Sequence, residues 1–273
     1  MPELPEVETV RKTLELKLKG KKIKDINILY SRIFEGQNVD EVKEKIKNQT
    51  INELNRKGKW LIFNLDDYYL LSHLRMEGKY LYRKFDEFKE KHELVCFNIN
   101  DEFELRYKDT RKFGRMQLIK KDDLLINSPL TKLGLEPWDG NLTVEYLKDK
   151  YNKKTLPIKT VLLDQTIMTG IGNIYADEIL YLSKINPYKK AKELSDKELN
   201  SIIINTKKVL EKAIEEGGTT IRSYTSEEGV SGRFQNSLLV HSREKELCYE
   251  CGTIIKREKI GGRSTYFCPN CQK

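Results

Sequence analysis

The sequence predicts an α+β multidomain protein: an N-terminal β-sandwich with one leading helix, a helical domain, and a C-terminal β-hairpin held by four cysteines. Three observations predict this order. Short β-rich runs follow one another between residues 22 and 119, helical periodicity takes over after residue 142, and two Cys-x-x-Cys pairs stand near the end. With 273 residues, the chain is long enough for two modest domains and a small appendage.

The first helix is predicted from Glu3 to Lys19, and Gly20 ends it. Its apolar residues recur at helical spacing: Val7, Val10, Leu14 and Leu18. The runs KWLIFNL, YYLLSHL, ELVCFNI, FELRY and MQLI then indicate strands, and NIN-DE-FEL indicates a hairpin. Together they predict a sandwich with the helix packed against it.

The helical domain is predicted to follow a linker that contains Gly and Pro, residues 133–141. Its clearest helix begins at Ser195, where Glu198 completes a capping box, and it ends at Gly217. The predicted domains are therefore 1–132, 142–237 and 238–273.

Composition limits the class of protein. The chain is 38% hydrophobic and 34% charged, which indicates a globular protein. No run approaches the roughly 18 apolar residues of a transmembrane helix. The acidic start MPELPEVETV does not resemble a signal peptide, so we expect an intracellular, cytoplasmic protein. The net charge of +8 favours a polyanionic partner, but a lysine-rich solvated surface explains it equally well.

The four C-terminal cysteines have the spacing of a zinc site. Two Cys-x-x-Cys knuckles, separated by sixteen residues, can point four thiolates at one metal ion: Cys248, Cys251, Cys268 and Cys271. Two disulfides are the alternative, which a reducing cytosol disfavours. Four thiolates leave no open position for water, so the expected zinc is structural. We expect the fifth cysteine, Cys96, to be an inert core residue.

Three further motifs each allow a functional and a purely structural interpretation. The segment TGIGNIYADEIL opens a helix with Asn173 near its N-terminus, which suits either a phosphate or close helix packing. The loops HLRMEG and DTRKFG carry Met76 and Phe113, which are either wedges between bases or core residues. Pro2 becomes a secondary amine if Met1 is removed. That amine is either a nucleophile or simply the start of a helix.

Taken together, these motifs resemble the formamidopyrimidine-DNA glycosylase family, bacterial enzymes that excise oxidised purines such as 8-oxoguanine. PELPEVET, KGKWL, HLRMEG, RYKDTRKFG, LLDQTIMTGIGNIYADE, GGTT and the four cysteines occur in the family's order. The resemblance covers essentially the whole chain. It implies a helix–two-turn–helix in the helical domain and a zinc finger at the C-terminus.

The resemblance also implies roles for individual residues. The amine of Pro2 is the implied nucleophile, Glu3 the acid/base, and Lys59 and Arg263 assist the chemistry through the DNA backbone. Three residues fill the gap left by the extruded base: Met76, Arg111 and Phe113. Further DNA contacts are implied for His92, Arg111, Lys159, Asn173 and His241. Glu6 and Glu178 are supporting residues, the latter without an assigned role, and His73 is expected to be structural.

The implied reaction is glycosylase and AP-lyase chemistry on double-stranded DNA that carries oxidised bases or abasic sites. The implied protein is a monomer in the bacterial cytoplasm, associated with the nucleoid and with one structural Zn²⁺. Leu4 and the Thr219–Asn236 segment, which resembles a lesion-sensing loop, favour purines. A pyrimidine-preferring enzyme of the endonuclease VIII type and a catalytically silent damage binder are the alternatives. In one place this chain departs from the family, because His241-Ser242 stands where a Tyr-Gly pair is usual.

Overall fold

The computed structural model describes residues 1–100, 102–219 and 232–273. These residues form two compact units. The first comprises Met1–Thr131 with Thr219 and Gly232, and the second comprises Lys132–Gly218 with Arg233–Lys273. Most of the segment interpreted as a lesion-sensing loop, residues 220–231, lies outside the described residues.

The described residues of the first unit contain two α-helices and eight strands. In chain order they are α1 (Leu4–Leu18), β1 (Asp25–Ile28), α2 (Val39–Ile46), β2 (Glu53–Lys57), β3 (Trp60–Asn64), β4 (Tyr68–His73), β5 (Lys79–Lys84), β6 (Glu93–Asn98), β7 (Phe103–Lys108) and β8 (Arg115–Lys120). Helix α1 follows the prediction to within one residue at each end, and Gly20 beyond it has a φ of +77°. Helix α2 interrupts a region in which we expected mostly strands and no helix was predicted.

The strands form two antiparallel four-stranded sheets, with the orders β1-β6-β7-β5 and β2-β3-β4-β8. A single buried cluster joins them, since Leu61 and Leu70 of one sheet belong to the same core as Val95 and Leu105 of the other. The buried face of α1 completes this core with Val7 and its neighbours. The predicted β-sandwich with a leading helix is confirmed. So is the hairpin between β6 and β7, although Asp101 in its turn is outside the described residues.

The second unit is helical until the final hairpin. Its elements are α3 (Val144–Tyr151), α4 (Ile158–Leu162), α5 (Asn173–Leu182), α6 (Asp196–Glu215), β9 (Lys256–Ile260) and β10 (Arg263–Phe267). The predicted capping box of Ser195 and Glu198 is present at the start of α6. Residues 133–141, predicted as a linker, lie within this unit, where Trp138 donates to Glu211. None of the described helices is long and apolar enough to cross a membrane.

Candidate functional site

The N-terminus of the first unit is buried around two carboxylates. Pro2 is buried, and Glu3 and Glu6 are each only 2% exposed. Glu3 caps helix α1, and its main-chain nitrogen donates to Oε2 of Glu6 at 2.8 Å. The local sequence favours this arrangement, because proline and an acidic residue both suit the first turn of a helix. The first turn of the helix is thereby fixed next to the chain end.

Glu6 also contacts a residue that lies 213 positions later in the sequence. Its Oε1 atom accepts hydrogen bonds from the main-chain nitrogen of Thr219 at 2.8 Å and from the Thr219 hydroxyl at 3.1 Å. Thr219 is itself buried. A buried carboxylate is tolerated only when its oxygens are hydrogen-bonded, and both oxygens of Glu6 are. Glu6 therefore ties the first turn of α1 to Thr219, and its supporting role in the reaction stays a prediction.

The α-amine at the N-terminus lies in an environment that weakens its hold on a proton. Burial lowers the pKa of the Met1 amine below its ordinary value of 8.0, and the positive charges of Lys59 and Arg111 lower it further. Glu3 and Glu6 oppose this shift. An amine acts as a nucleophile only when it is unprotonated, so a lowered pKa raises the reactive fraction at neutral pH.

Lys59 owes its place beside the N-terminus to a tight turn. Gly58 and Lys59 form the two-residue turn between β2 and β3, and the φ of +57° at Gly58 is one that glycine adopts without strain. Arg56 donates to the carbonyl of Gly58 at 2.9 Å and to Glu8 of α1 at 3.0 Å. The turn is thus tied to the helix that carries the chain end, and only 6% of the surface of Lys59 is exposed.

The DTRKFG loop is organised by the buried carboxylate of Asp109. Its oxygens accept hydrogen bonds from the main-chain nitrogens of Arg111 at 3.0 Å, Phe113 at 2.9 Å and Gly114 at 2.8 Å. Arg111 lies 4.6 Å from the centre of the Phe113 ring, and both side chains are exposed. His92 is exposed too, and its carbonyl accepts from the nitrogen of Asp109 at 3.0 Å. This loop therefore presents a cation stacked on an aromatic ring.

Tyr107 brings the two candidate loops together. A Cβ atom added at Gly78, which ends HLRMEG, would lie 2.1 Å from the Tyr107 hydroxyl, and one added at Gly114 would lie 1.8 Å from it. Only glycine lets both loop backbones approach the same tyrosine. Met76 is half-buried, whereas Phe113 is 47% exposed. The structural interpretation of Phe113 as a core residue is wrong.

His73 is a structural histidine in its geometry. It is half-buried, its ring meets Trp60 edge-on at 4.9 Å, and its Nδ1 accepts from the nitrogen of Arg75 at 3.0 Å. Burial, together with the charges of Arg75 and Lys59, lowers the pKa of His73 to about 3. The ring is therefore neutral at physiological pH.

In the second unit, Lys159 is fully buried. Its Nζ donates to the carbonyl of Asn173 at 2.8 Å and to Oδ1 of Asp177 at 2.5 Å, and the other oxygen of Asp177 lies 2.6 Å from Nδ1 of His241. A direct phosphate contact by Lys159 would need its ammonium to leave these partners. Its predicted DNA contact stays a prediction. In the described geometry Lys159 braces the start of α5.

Glu178, for which the sequence suggested no role, holds the segment that carries His241. Its two oxygens accept from the main-chain nitrogens of Leu239 at 2.8 Å, Val240 at 3.0 Å and His241 at 2.9 Å. Burial raises the pKa of Glu178, and these three N–H groups oppose that rise. Ser242, which follows, has a φ of +62°. This left-handed conformation is the one that the glycine of a Tyr-Gly pair adopts without strain.

Asn173 and Arg263 lie close together on this unit. Asn173 is the first residue of α5, and its Nδ2 donates to the carbonyl of Ser264 at 2.9 Å. Arg263 precedes Ser264 in β10 and is exposed. The turn before it packs closely, since a Cβ added at Gly261 would lie 2.8 Å from Oγ1 of Thr160. A helix N-terminus and an exposed guanidinium thus adjoin, which suits an anion.

The four C-terminal cysteines have the geometry of a metal site. Their sulfur atoms all lie within 4.8 Å of one another; the Cys248–Cys271 pair is 3.9 Å apart and the Cys251–Cys268 pair 3.4 Å. Zn–S bonds of about 2.3 Å would place the sulfurs of a tetrahedron roughly 3.8 Å apart. The cluster therefore fits one zinc ion held by four thiolates. Strands β9 and β10 form the predicted hairpin between the two knuckles.

Comparison with known proteins identifies the family that has this architecture. Three family models match in order: the formamidopyrimidine-DNA glycosylase N-terminal domain at residues 1–116, the H2TH domain of the same enzymes at 133–225, and a zinc finger found in FPG and IleRS at 245–273. A formamidopyrimidine-DNA glycosylase of Bacillus cereus is 45% identical over 273 residues, covering 100% of this chain and 99% of the relative. The chain belongs to the formamidopyrimidine-DNA glycosylase family.

Solved structures of family members have the same fold. A point mutant of Lactococcus lactis FPG, in complex with Fapy-dG-containing DNA, matches with a TM-score of 0.94 at 40% identity, covering 100% of both chains. The Lactococcus lactis Fpg bound to DNA with an abasic site matches with a TM-score of 0.93 at 40% identity, covering 99% of both chains. The predicted α+β fold and the family resemblance are confirmed.

Ten of the formamidopyrimidine-DNA glycosylase residues expected from the sequence fall into two groups. The first unit brings together Pro2, Glu3, Glu6, Lys59 and Arg111 around the N-terminus. The second brings together Lys159, Asn173, Glu178, His241 and Arg263 around the start of α5. Sequence reasoning missed Asp109, Tyr107 and Asp177. The only signal for Asp109 was its place as the first residue of the DTRKFG motif. Asp177 was visible only as part of the NIYADE motif.

Proposed function

We propose that this protein is a bifunctional DNA glycosylase and AP lyase of base excision repair, acting on oxidised purines such as 8-oxoguanine and formamidopyrimidines. Full-length membership of the formamidopyrimidine-DNA glycosylase family carries this proposal. Its substrate is double-stranded DNA with an oxidised base or an abasic site, as in the complexes of its relatives. Working on bacterial DNA, it acts in the cytoplasm at the nucleoid, as a monomer.

The nucleophile is the secondary amine of Pro2, which is exposed once Met1 is removed. It attacks C1′ of the damaged nucleotide, and the C1′–O4′ bond breaks as Glu3 protonates the deoxyribose ring oxygen. The bond from C1′ to the base breaks as well, and the base leaves with the proton that the amine gives up. The product is an iminium (Schiff base) between Pro2 and C1′. Loss of the 3′ phosphate and then of the 5′ phosphate by β- and δ-elimination cuts the strand. Lys59 and Arg263 assist these steps at the phosphates.

The environment of the amine supports this chemistry. The groups that shift the pKa of the chain's α-amine are the same ones proposed to act on substrate: Glu3, Lys59 and Arg111. Burial and the two cations favour the unprotonated amine, which alone can attack. Glu6 fixes the first turn of α1 through Glu3. The observation that supports the mechanism is the setting of the Met1 amine, one residue before Pro2, because the same burial and charges would act on the Pro2 amine once Met1 is removed.

Reaching C1′ requires the nucleotide to leave the stack, which costs a few kcal/mol. Met76, Arg111 and Phe113 would fill the vacated space, and the anchoring of both loops on Tyr107 supports a single wedge. His92, Asn173, His241, Lys159 and Arg263 would hold the backbone. A zinc ion on the four cysteines would supply structural bracing of the hairpin and no open position for substrate.

Borohydride trapping tests this function. The protein is incubated with a duplex that carries 8-oxoguanine opposite cytosine, and reduction of the Schiff base should link it covalently to DNA. A variant with a Gly-Ser extension before Pro2 keeps every side chain but buries the amine in a peptide bond, so it should form no adduct. The same extension at the C-terminus is the matched control and should not reduce trapping.

An adduct with the N-terminally extended protein would overturn the proline mechanism. A parallel duplex carrying thymine glycol measures lesion preference. Faster trapping on thymine glycol than on 8-oxoguanine would contradict the proposed purine specificity.

A further inference from the structure

His241 is held by a single carboxylate in the second unit. Its Nδ1 lies 2.6 Å from Oδ2 of Asp177, whose other oxygen accepts from Lys159 at 2.5 Å. The Asp177 side chain is completely buried, and that of His241 is 13% exposed. Helix α5 sets both positions, since Glu178, the next residue of the helix, accepts from the main chain of His241. The contact is therefore buried in this unit and fixed by its main chain, and it is not a contact between two exposed side chains.

The contact decides which nitrogen of the imidazole carries hydrogen. An ionised carboxylate is an acceptor only, and Oδ1 of Asp177 already receives the ammonium of Lys159. The Nδ1 atom of His241 must then be the donor. In a neutral imidazole with hydrogen on Nδ1, Nε2 has a lone pair and only accepts.

A phosphodiester oxygen is also only an acceptor. Neutral His241 therefore cannot donate a hydrogen bond to a DNA phosphate through Nε2, whereas the imidazolium donates from both nitrogens. We propose that Asp177 is a positioning residue that fixes hydrogen on Nδ1 of His241, so that His241 contacts a DNA phosphate only as the imidazolium and binding through it takes up one proton. This inference rests on the proposed function, which makes DNA the ligand of this unit.

The charges around the ring accommodate that proton. The titratable and charged groups near the ring come from four elements and from the segment that carries His241. Helix α5 contributes Asp177 and Glu178, and α4 contributes Lys159. The ring centre of Tyr266 in β10 lies 4.8 Å from that of His241, Arg257 in β9 lies 5.8 Å from the Tyr266 ring, and Arg243 lies in the same segment as His241. Arg243 is paired with Glu246 and Arg257 with Glu244. The two carboxylates of Asp177 and Glu178 outnumber the one ammonium of Lys159, so an imidazolium here meets net negative surroundings.

The coupling predicts that DNA affinity falls as pH rises, because the imidazolium gives up the proton that this contact needs. Other groups also change charge with pH, among them the α-amine. The test is therefore a comparison between the wild-type protein and His241→Tyr. The tyrosine hydroxyl is a neutral donor that ionises only near pH 10. Both proteins are titrated with a duplex carrying a stable abasic-site analogue.

Between about pH 6 and about pH 8 the wild-type affinity should fall about tenfold more than that of His241→Tyr, the scale of one charged hydrogen bond. The slope of log affinity against log salt should become less steep by about 0.9 over the same interval, and only in the wild type. Parallel pH profiles for the two proteins would overturn the proposal.

Asp177→Asn separates positioning from simple bracing. Its amide oxygen can still accept from Lys159, and its NH₂ group then faces Nδ1 of His241 and donates to it. This moves the hydrogen of the neutral ring to Nε2, which becomes a donor without any proton uptake. We expect affinity at about pH 8 to be retained or raised and the excess pH dependence to disappear. A uniform loss of affinity at every pH would indicate bracing only and would contradict the proposal.

The tautomer can also be read without DNA, in case Asp177→Asn does not fold. Nitrogen-15 NMR of the three histidines, with His241 assigned by its absence from His241→Tyr, should show hydrogen on Nδ1 of the neutral ring. Hydrogen on Nε2 would overturn the inference. Absence of DNA binding by the wild-type protein at every pH is a different outcome, because it would remove the proposed function and this inference with it.

Discussion

The carboxylate of Asp109 accepts a hydrogen bond from the main-chain nitrogen of Phe113 at 2.9 Å, so one buried side chain sets the position of the exposed ring proposed to fill the base gap. The same carboxylate accepts from the nitrogens of Arg111 and Gly114. The loop has no helix or strand of its own to define it. Three of its main-chain nitrogens therefore share this one carboxylate as acceptor.

Asp109→Ala should therefore cost about 2 kcal/mol of stability, because buried N–H groups lose their acceptor. We expect a loss of at least about tenfold in affinity for an abasic duplex as well, since the loop loses its shape. Asp109→Asn keeps one acceptor oxygen and should fall between the wild type and alanine. Equal affinity of Asp109→Ala and wild type would show that the loop forms without Asp109. Urea unfolding and DNA titration measure both effects.

Gly114→Ala should destabilise the first unit by about 2 kcal/mol, the cost of overpacking a filled site. The new Cβ would meet the Tyr107 hydroxyl at 1.8 Å. Gly140→Ala is the matched control, because nothing lies within 4 Å of its Cβ position. It should be neutral or slightly stabilising. Adding Tyr107→Phe to Gly114→Ala removes the nearest atom, and partial recovery in urea unfolding would identify the contact; no recovery would point to another cause.

Ser242→Gly should stabilise the protein by about 1 kcal/mol. Ser242 has a φ of +62°, a conformation that costs a residue with a Cβ atom roughly this much. Ser242→Ala is the control, because it removes the hydroxyl but keeps the Cβ atom, and it should bring no gain. Chemical denaturation measures both variants. A gain in Ser242→Ala equal to that in Ser242→Gly would mean that the hydroxyl, not the backbone, carries the cost.

The rate of Schiff-base formation should rise with pH, because only the unprotonated amine attacks. Burial and two cations lower the pKa of the Met1 α-amine, and the same surroundings would act on the Pro2 amine that takes its place at the N-terminus. Arg111→Gln removes one of those cations, so the pKa of the amine rises and the ascending limb of the pH–rate profile moves to higher pH. Arg115→Gln is the control, because its guanidinium is paired with Glu35. Single-turnover borohydride trapping at a series of pH values measures the shift. An unmoved limb in Arg111→Gln would exclude its charge as a cause.

Zinc removal should abolish DNA binding. Without the metal the two knuckles lose the bonds that hold them together, so chelation should release the hairpin that carries Arg263. Metal analysis should find one zinc per chain in the wild type and in Cys96→Ala, whose thiol is buried in the sandwich with its pKa raised by burial to about 11. Cys268→Ala should hold none. Full binding by a zinc-free protein would show that the hairpin is dispensable.

The elements that the sequence predicts well are those with a local cause. The helix starting after Ser195 has its capping box within four residues, and the strands of the sandwich have their β-rich runs. Helix α2 was missed because Val39–Ile46 has only two buried apolar residues, Val42 and Ile46, and polar residues at most other positions. Short amphipathic helices take their stability from tertiary packing, which a linear pattern does not display.

The site divides in the same way. The cysteines, Pro2 and the loop motifs stand in recognisable spacings. The contact of Asp177 with His241 joins residues 64 positions apart, and the two glycines on Tyr107 lie on separate loops. No spacing in the sequence predicts such pairs, since they arise from how the elements pack. Glu178 was visible as part of a motif, but its three main-chain partners were not.

The hydrogen bonds from Thr219 to Glu6 join residues 213 positions apart. Pro2, whose amine is proposed to do the chemistry, is the second residue to be synthesised, but the carboxylate of Glu6 lacks these partners until position 219 has been added. Contacts this distant in sequence form late, because a long loop must close before they are gained. The order of synthesis thus keeps a reactive chain end without its complete support until the rest of the protein exists. A nascent chain truncated before residue 219 would carry Pro2 but would lack the hydrogen bonds from Thr219 to Glu6.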